Sequence, residues 1–221
     1  LLQNSLNIYK EKEILDKLAE SYSALGIIEE NALDYDKALQ AFSSSLKISE
    51  EIGEDLNRGR ELRRIGRIFY LRLSRYDQAK AYFQQAYDLF KEIEQLDQVV
   101  ETLLELGLVA EKQGDFEVAI DRYQEAQNLA KEIDMKPGLS KAFLYQANSH
   151  WFQGNYQKAF KFQQKSLAIA EEITDKRQKT FVYNTLGLIY WTLNDSSQAL
   201  GNLNKSLKLA EEIESPLDVA T

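Results

Sequence analysis

The stretch GLVAEKQGDFEVAIDRYQEAQNLAKEI (residues 107–133) is followed by ANSHWFQGNYQKAFKFQQKSLAIAEEI (residues 147–173), forty residues further along the chain. Both stretches hold apolar residues three and four positions apart, which is typical of one face of an α-helix. Both are interrupted by a helix-breaking pair, Gly-Asp in the first and Gly-Asn in the second. Each stretch therefore predicts two helices joined by a short turn.

The same pattern recurs along most of the chain. An isoleucine after an acidic pair or a Lys-Glu pair marks the end of each copy, at Ile52, Ile93, Ile133, Ile173 and Ile213. A small residue marks the first helix of each copy, at Gly26, Gly66, Gly107, Ala147 and Gly187. An alanine follows twelve or thirteen residues later, at Ala38, Ala79, Ala119, Ala159 and Ala199. The sequence thus contains five copies of about forty residues each.

The recurring small residues have a physical role. Glycine or alanine inside a helix allows a second helix to approach closely, and the later alanine supplies the other half of that contact. A single helix hairpin cannot bury its own apolar face, whereas stacked hairpins can. With two prolines in 221 residues and no alternating Val/Thr-rich segment, the sequence predicts an all-α protein.

These residues resemble the tetratricopeptide repeat (TPR) family, whose Leu-Gly, Tyr, Ala and Phe pattern they match from about Lys17 to Glu214. The resemblance implies an all-α, right-handed superhelical solenoid of antiparallel helix hairpins. A repeat of about 40 residues exceeds the usual 34. It is similar to the long subclass found in kinesin light chains, spindle-orientation adaptors and bacterial signalling arrays. Gln146 departs from the pattern, because leucine is expected there and a polar side chain needs a partner or an exposed edge.

We expect one solenoid segment over residues 1–221. Its predicted parts are the second helix of an upstream repeat (1–16), five repeats (17–54, 55–95, 96–135, 136–175 and 176–214) and the start of a following helix (215–221). Neither end carries a polar capping helix, so we interpret the chain as a segment of a longer protein.

Composition disfavours several function classes. The net charge is −8, which makes nucleic acid and anionic membranes poor partners. There is no cysteine and one histidine, His150, so we predict no metal site, no cofactor and no catalytic residue. No apolar stretch reaches the ~20 residues of a membrane span. A reducing, cytoplasmic compartment fits this composition.

The resemblance also implies where a ligand binds. Family members bind ligands on the first helix of each hairpin, at positions six and three before the small residue and one, four and five after it. From these positions we predict a partner-binding concave groove containing Arg60, Arg63, Arg67, Tyr70, Leu104, Leu108, Leu144, Asn148, Trp151, Phe152, Asn184, Leu188 and Trp191.

Two features of this set have more than one interpretation. Arg60, Arg63 and Arg67 share a helix face and could hold carboxylate or phosphate groups, or could pair with acidic residues of flanking repeats. Trp151 and Trp191 are 40 residues apart and could bind apolar side chains of a partner, or could pack beneath the helix ends. The side-chain amides of Asn148 and Asn184 are suited to holding a peptide backbone.

The function predicted from the sequence is a protein–protein interaction scaffold that binds a peptide or partner helix in its groove. The alternative is a regulatory or sensor module that controls a protease, kinase or DNA-binding domain outside this segment. An enzyme is disfavoured, because the sequence lacks a phosphate-binding glycine loop, metal-ligand spacing and a nucleophile motif. Self-association through the end repeats is a further possibility.

Overall fold

The computed structural model describes the backbone of residues 2–214 and the side chains of residues 11–213. This part of the chain forms ten α-helices and contains no strand, which confirms the predicted all-α class. The helices are α1 (Leu2–Asn31), α2 (Tyr35–Ile52), α3 (Asp55–Leu71), α4 (Tyr76–Glu92), α5 (Leu96–Gln113), α6 (Phe116–Glu132), α7 (Lys136–Phe152), α8 (Tyr156–Glu172), α9 (Lys176–Thr192) and α10 (Ser196–Glu214). The segment 215–221, predicted to begin another helix, lies outside the described residues.

Consecutive helices pack as hairpins. The chain divides into two units after Thr102, inside α5. In the first unit, α1 packs on α2 and α3 packs on α4, while α2 also contacts α3. In the second unit, α7 packs on α8 and α9 on α10, while α6 contacts α7 and α8 contacts α9. Hairpins that contact the next hairpin along the chain are the arrangement that repeat proteins use to bury a continuous core.

The first helix is longer than the repeat pattern predicts. A boundary was predicted between residues 16 and 17, but α1 runs through that position without a break. The physical reason is that residues 9–24 contain neither glycine nor proline and consist largely of good helix formers. Nothing in this stretch ends one helix or begins another.

The turns repeat with the same period as the helices. Within the hairpins, a residue with positive φ ends the first helix at Leu33, Ser74, Gly114, Gly154 and Asn194. Between hairpins, the equivalent residues are Gly53, Glu94, Asp134 and Thr174. At Gly53, the backbone N–H donates to the carbonyl oxygens of Glu50 and Ser49, which closes α2 with a left-handed cap. The carboxylates of Asp34 and Asp175 accept hydrogen bonds from the backbone at the starts of α2 and α9.

The recurring small residues lie where two helices of a hairpin touch. A β-carbon added at Gly66 would stand 2.7 Å from Cε1 of Phe83, closer than packed atoms allow. Gly26 faces Phe42 and Gly107 faces Tyr123 in the same way, while Gly187 faces Leu203. The two aromatic rings of the first unit and the Tyr123 ring are fully buried. Close approach of the helices is therefore the reason for the repeating glycine.

In the fourth copy, different residues occupy the positions where the two helices of the hairpin touch. Ala147 replaces the glycine, and the residue in the position of Phe83 and Tyr123 is Gln163. Gln163 is buried, and its Nε2 donates a 3.0 Å hydrogen bond to the carbonyl oxygen of Val182 on α9. Gln146, the other departure in this copy, is also buried and donates to Oε1 of Gln127 at 3.0 Å. The partner that a polar residue needs here is thus supplied by α6.

Candidate partner-binding surface

The thirteen residues predicted to contact a partner all lie on first helices, four on α3, two on α5, four on α7 and three on α9. Two of them are unsuited to that role. Leu104 and Leu144 are 2% and 4% exposed, and Leu144 packs in a core cluster with Val182 and Leu186. Their side chains stabilise the helix packing, so we leave both out of the candidate surface.

The aromatic residues at the end of α7 are partly packed. The indole Nε1 of Trp151 donates a 3.3 Å hydrogen bond to Oγ1 of Thr192, the last residue of α9. The Trp151 ring also meets the Phe152 ring edge-on, at 5.0 Å between centroids. Phe152 stacks on Phe116 at 6.0 Å yet remains exposed. Trp151 therefore joins the ends of α7 and α9, and Phe152 is the more accessible of the two rings.

The exposed face of α9 is the most apolar part of the candidate surface. Phe181, Leu188 and Trp191 are 63%, 42% and 68% exposed, and Asn184 between them is exposed as well. Spacings of three, four and three residues put all four on one side of the helix. We call these four residues the α9 face. Phe181 lies six residues before Gly187 and so occupies one of the ligand positions that the family resemblance implies, although it is not among the thirteen predicted residues.

A buried carboxylate organises one of the arginines of α3. Glu61 is 2% exposed, and its Oε1 accepts a 2.8 Å hydrogen bond from Oγ of Ser23 on α1. Nη1 of Arg64 lies 2.6 Å from the same oxygen and also bonds to Ser23, while the guanidinium lies over the Phe42 ring. Burial raises the pKa of Glu61, and Arg64, Ser23 and Arg60 oppose that shift. Arg64 is therefore held by neighbours on α1 and α3.

Two other arginines of α3, Arg60 and Arg67, are more accessible. Nη1 of Arg63 donates a 2.8 Å hydrogen bond to Oε1 of Gln98 on α5, whereas Arg60 and Arg67 are exposed. A surface pocket of about 220 Å³ is lined by Arg60, Arg63, Arg64, Arg67 and Gln98. Tyr70, one turn further along, is half-buried against Tyr76, at 6.0 Å between ring centroids. The Arg64–Glu61 ion pair lies within α3, so it is not one of the pairs with flanking repeats that were considered for Arg60, Arg63 and Arg67.

A second carboxylate, that of the half-buried Glu111, joins α5 to α7. Oγ of Ser149 donates a 2.7 Å hydrogen bond to Oε2 of Glu111. Burial raises the pKa of Glu111, while the bond from Ser149 and the charge of Lys112 lower it. Leu108 and Asn148, the predicted residues beside this pair, are half-buried. Leu108 lies one helical turn from Glu111 on α5, and Asn148 is next to Ser149 on α7.

His150 occupies a packing position. Its ring stacks on Phe162 at 5.4 Å, and the side chain is nearly buried. Burial lowers its pKa, the charge of Lys158 lowers it further, and a hydrogen bond with Gln153 acts in the opposite direction. Within residues 11–213, no group of three or more His, Cys, Asp or Glu side chains is arranged to hold a metal ion. Over the same described part, none of the helices combines the length and apolar character that a membrane crossing requires.

Comparison with known families assigns the class of this protein. The tetratricopeptide repeat family matches residues 17–92, 61–132 and 139–212, and a second description of the same repeat matches residues 104–172. The chain belongs to the tetratricopeptide repeat family. A comparison with curated protein sequences found no match.

Solved structures show the same fold at low sequence identity. Aspartyl phosphate phosphatase F from Bacillus subtilis has a TM-score of 0.81 at 14% identity, over 96% of this chain and 56% of that one. The Rap conjugation gene regulator of plasmid pLS20, solved in complex with a Phr peptide, has a TM-score of 0.76 at 15% identity, over 88% and 53%. A signal transduction ATPase with a tetratricopeptide repeat sensor from Pyrococcus horikoshii has a TM-score of 0.75 at 19% identity, over 92% and 32%. The chain thus spans about half or less of these three proteins.

Proposed function

We propose that this protein is an interaction scaffold that binds a peptide or a partner helix along the first helices of its hairpins. The observation that supports the proposal best is the α9 face, where three large apolar side chains lie exposed beside an amide. Exposed apolar side chains that are contiguous on one helix face are typical of interaction sites. The peptide complex of the structurally similar Rap regulator is consistent with this proposal.

The chemistry of the α9 face fits a partner with apolar anchors. Tryptophan is over-represented among residues that dominate binding energy, because it buries a large area with little loss of conformational freedom. Leu188 and Phe181 extend the apolar area along one side of the helix. Asn184 provides both a donor and an acceptor for a backbone amide of the bound segment.

Tryptophan fluorescence provides a direct test. The chain has two tryptophans, and Trp191 is exposed whereas Trp151 is partly buried. A 12-residue peptide selected from a displayed random library is titrated into the protein, and emission is compared with that of Trp191→Phe, which reports Trp151 alone. We expect a blue shift of Trp191 emission and at least tenfold weaker binding by Trp191→Ala.

Leucine variants provide the matched control. Leu188 on the α9 face and Leu200 on α10 are both exposed, so their truncation removes similar side chains. We expect Leu188→Ala to weaken binding several-fold and Leu200→Ala to leave it unchanged. Equal effects of the two substitutions, or binding with no change in Trp191 emission, would place the partner away from the α9 face and refute the proposal for this helix.

A second candidate function is a sensor module for an effector domain outside this segment, such as a protease, kinase or DNA-binding domain. It is favoured by the resemblance to the archaeal ATPase, in which this fold is the part described as a sensor and the chain covers 32% of the protein. Determining the complete reading frame around this segment tests it. A frame without an effector domain would exclude this function in cis and leave the scaffold proposal standing.

A further inference from the structure

One kind of contact joins a hairpin to the next one along the chain. The second helix of one hairpin packs on the first helix of the following hairpin, as α2 does on α3, α6 on α7 and α8 on α9. Between α8 and α9, the Phe160 ring meets the Tyr190 ring edge-on at 5.4 Å between centroids. Leu167 of α8 packs against a core cluster that includes Leu186 of α9. This interface therefore has two different sides, one on a second helix and one on a first helix.

The first-helix side of this interface is uncovered on α1. In the other four first helices, the residue two positions after the recurring small residue is fully buried, at Ile68, Val109, Ser149 and Ile189. The residue just before the small residue is also buried there, and at Gln146 it bonds to Gln127 of the preceding hairpin. The equivalent residues of α1 are Leu25 and Ile28, which are 43% and 62% exposed. The side of α1 that would face a preceding hairpin is therefore apolar and accessible.

The second-helix side of the interface is uncovered on α10, the last helix that the structure describes. Leu200 and Leu207 occupy the positions on α10 that Phe160 and Leu167 occupy on α8, forty residues earlier. Phe160 and Leu167 are half-buried beside α9. Leu200 and Leu207 are 62% and 58% exposed instead. The side of α10 that would face a following hairpin is thus apolar and accessible as well.

A polar pair matches the two uncovered sides to each other. Between α8 and α9, the hydroxyl of Tyr183 donates a 3.3 Å hydrogen bond to Oε1 of Glu171. Tyr22 of α1 stands four residues before its glycine, as Tyr183 does, and Glu211 of α10 stands forty residues after Glu171. The three helices between have no tyrosine at this position, where they carry Leu62, Leu103 and Phe143. The first and last hairpins therefore carry the two partners of a bond that the chain forms between α8 and α9.

We propose that copies of this chain associate head to tail, with α10 of one copy packing on α1 of the next as α8 packs on α9. We call the two surfaces the α10 end face (Leu200, Leu207 and Glu211) and the α1 end face (Tyr22, Leu25 and Ile28). Because two different faces meet, a pair of copies still has one face of each kind free, and association continues beyond two copies. The inference goes beyond the proposed scaffold function and uses none of the residues of the α9 face.

Sedimentation velocity of the native chain is the first test. Burial of apolar side chains favours association, whereas the net charge of −8 on each copy opposes it. We expect the average mass to rise over a concentration series from about 5 to 500 µM. The rise should be larger at about 300 mM than at 50 mM NaCl, because salt screens the repulsion between acidic copies. A chain that stays monomeric throughout both series would overturn the inference.

A mixing experiment then tests which faces meet. Leu207→Glu and Ile28→Glu each place a carboxylate on one end face at an exposed position, and circular dichroism checks that the fold persists. Each variant alone should associate at least tenfold more weakly than the native chain. Mixed in equal amounts, the two should form a 1:1 dimer, because one retains its α1 end face and the other its α10 end face. Val118→Glu adds the same charge at an exposed apolar site on α6 and should associate like the native chain.

Several outcomes contradict a head-to-tail contact. A mixture that stays monomeric would do so, and so would a block by only one of the two variants, which would indicate pairing of like faces. If Leu207→Glu does not fold, Leu200→Glu replaces it on the same face. If the native chain stays monomeric while a library-selected peptide still shifts Trp191 emission, this inference is wrong and the scaffold function stands. If the chain associates as expected and no peptide affects Trp191, the reverse conclusion follows.

Discussion

Oγ of Ser23 on α1 donates a 2.8 Å hydrogen bond to the buried carboxylate of Glu61 on α3. This contact joins the first helices of two consecutive hairpins and at the same time holds Arg64. Burying a carboxylate is costly unless it is hydrogen-bonded or paired with a cation, and at Glu61 these partners all contact Oε1, while Oε2 is buried without a hydrogen bond. The Ser23–Glu61 contact therefore links the packing of α1 and α3 to the position of the Arg64 charge.

Removing the hydroxyl of Ser23 should destabilise the first unit. Ser23→Ala leaves Glu61 with one partner fewer in a buried site, at a cost of about 1–3 kcal/mol in the free energy of unfolding. Urea denaturation at pH 7 measures this cost. Ser21→Ala is the control, because Ser21 is exposed on the same helix and bonds only to the carbonyl oxygen of Lys17. It should change the unfolding free energy by less than about 0.5 kcal/mol, and equal effects of the two variants would contradict the role assigned to Glu61.

The glycine that faces Phe83 should not tolerate a methyl group. In Gly66→Ala the new β-carbon would lie 2.7 Å from the Phe83 ring, which is itself fully buried and cannot move outward freely. Overpacking of this kind costs about 1–3 kcal/mol. Thermal unfolding followed by circular dichroism measures the loss as a lower melting temperature.

Gly201→Ala is the matched substitution at a site with free space. Gly201 lies inside α10, and no atom would approach an added β-carbon within 4 Å. Alanine loses less backbone entropy than glycine in a helix, so this variant should gain about 0.5–1 kcal/mol. We therefore expect the free energy of unfolding to decrease in Gly66→Ala and to increase in Gly201→Ala. A stabilising Gly66→Ala would show that the helices pack more loosely at that position than the 2.7 Å approach to Phe83 implies.

The all-α fold could be predicted from the sequence because the same packing contact recurs. Gly26, Gly66 and Gly107 each face an aromatic ring sixteen or seventeen residues later, so spacing alone identifies both helices of the contact. The extra length of α1 could not be predicted from the repeat. The N-terminal half of α1 is helical because of local propensity. The repeat pattern marks positions inside each copy, so it does not show that a helix continues across the boundary before the first copy.

The candidate surface was predicted only in part, for a related reason. Spacing correctly assigns Leu144 and Asn184 to equivalent positions on α7 and α9, yet the first is buried and the second exposed. Burial depends on the neighbouring helix, and Leu144 is covered because Val182 and Leu186 pack against it. The bond between Arg63 and Gln98 is similar, since it joins α3 to α5 across 35 residues. The pattern of a single repeat therefore does not predict the contacts between hairpins, which decide whether a residue at a given position is buried.

Ala147 and Gln163 replace the glycine and the aromatic residue of other copies, and substitutions at the two positions should show energetic coupling. Gln163→Tyr restores the aromatic residue of the other copies but sets it against the methyl group of Ala147, so the single variant should lose about 1–3 kcal/mol. Ala147→Gly alone loses about 1 kcal/mol from helix propensity. In the double variant the ring gains the space that Gly107 gives Tyr123. The double variant should lose less unfolding free energy than the sum of the two single variants, by at least about 0.5 kcal/mol. Strictly additive losses in urea titrations would contradict the inference that residues 147 and 163 pack against each other.

His150 should make stability depend on pH between about 5.5 and 8. Burial lowers the pKa of His150 in the folded protein below its value of about 6.5 in the unfolded chain. As pH falls through 6.5, the unfolded chain takes up a proton before the folded protein does, so the free energy of unfolding decreases. The chain has one histidine, and because burial also raises the pKa values of Glu61 and Glu111, the contribution of His150 is taken from the difference between the native chain and a variant without it. His150→Phe keeps a ring against Phe162 and removes the titration. Urea denaturation at pH 8 and at pH 5.5 measures the free energy of unfolding, which should decrease less on acidification in the variant than in the native chain. Equal decreases would mean that the pKa of His150 is the same in the folded and unfolded states.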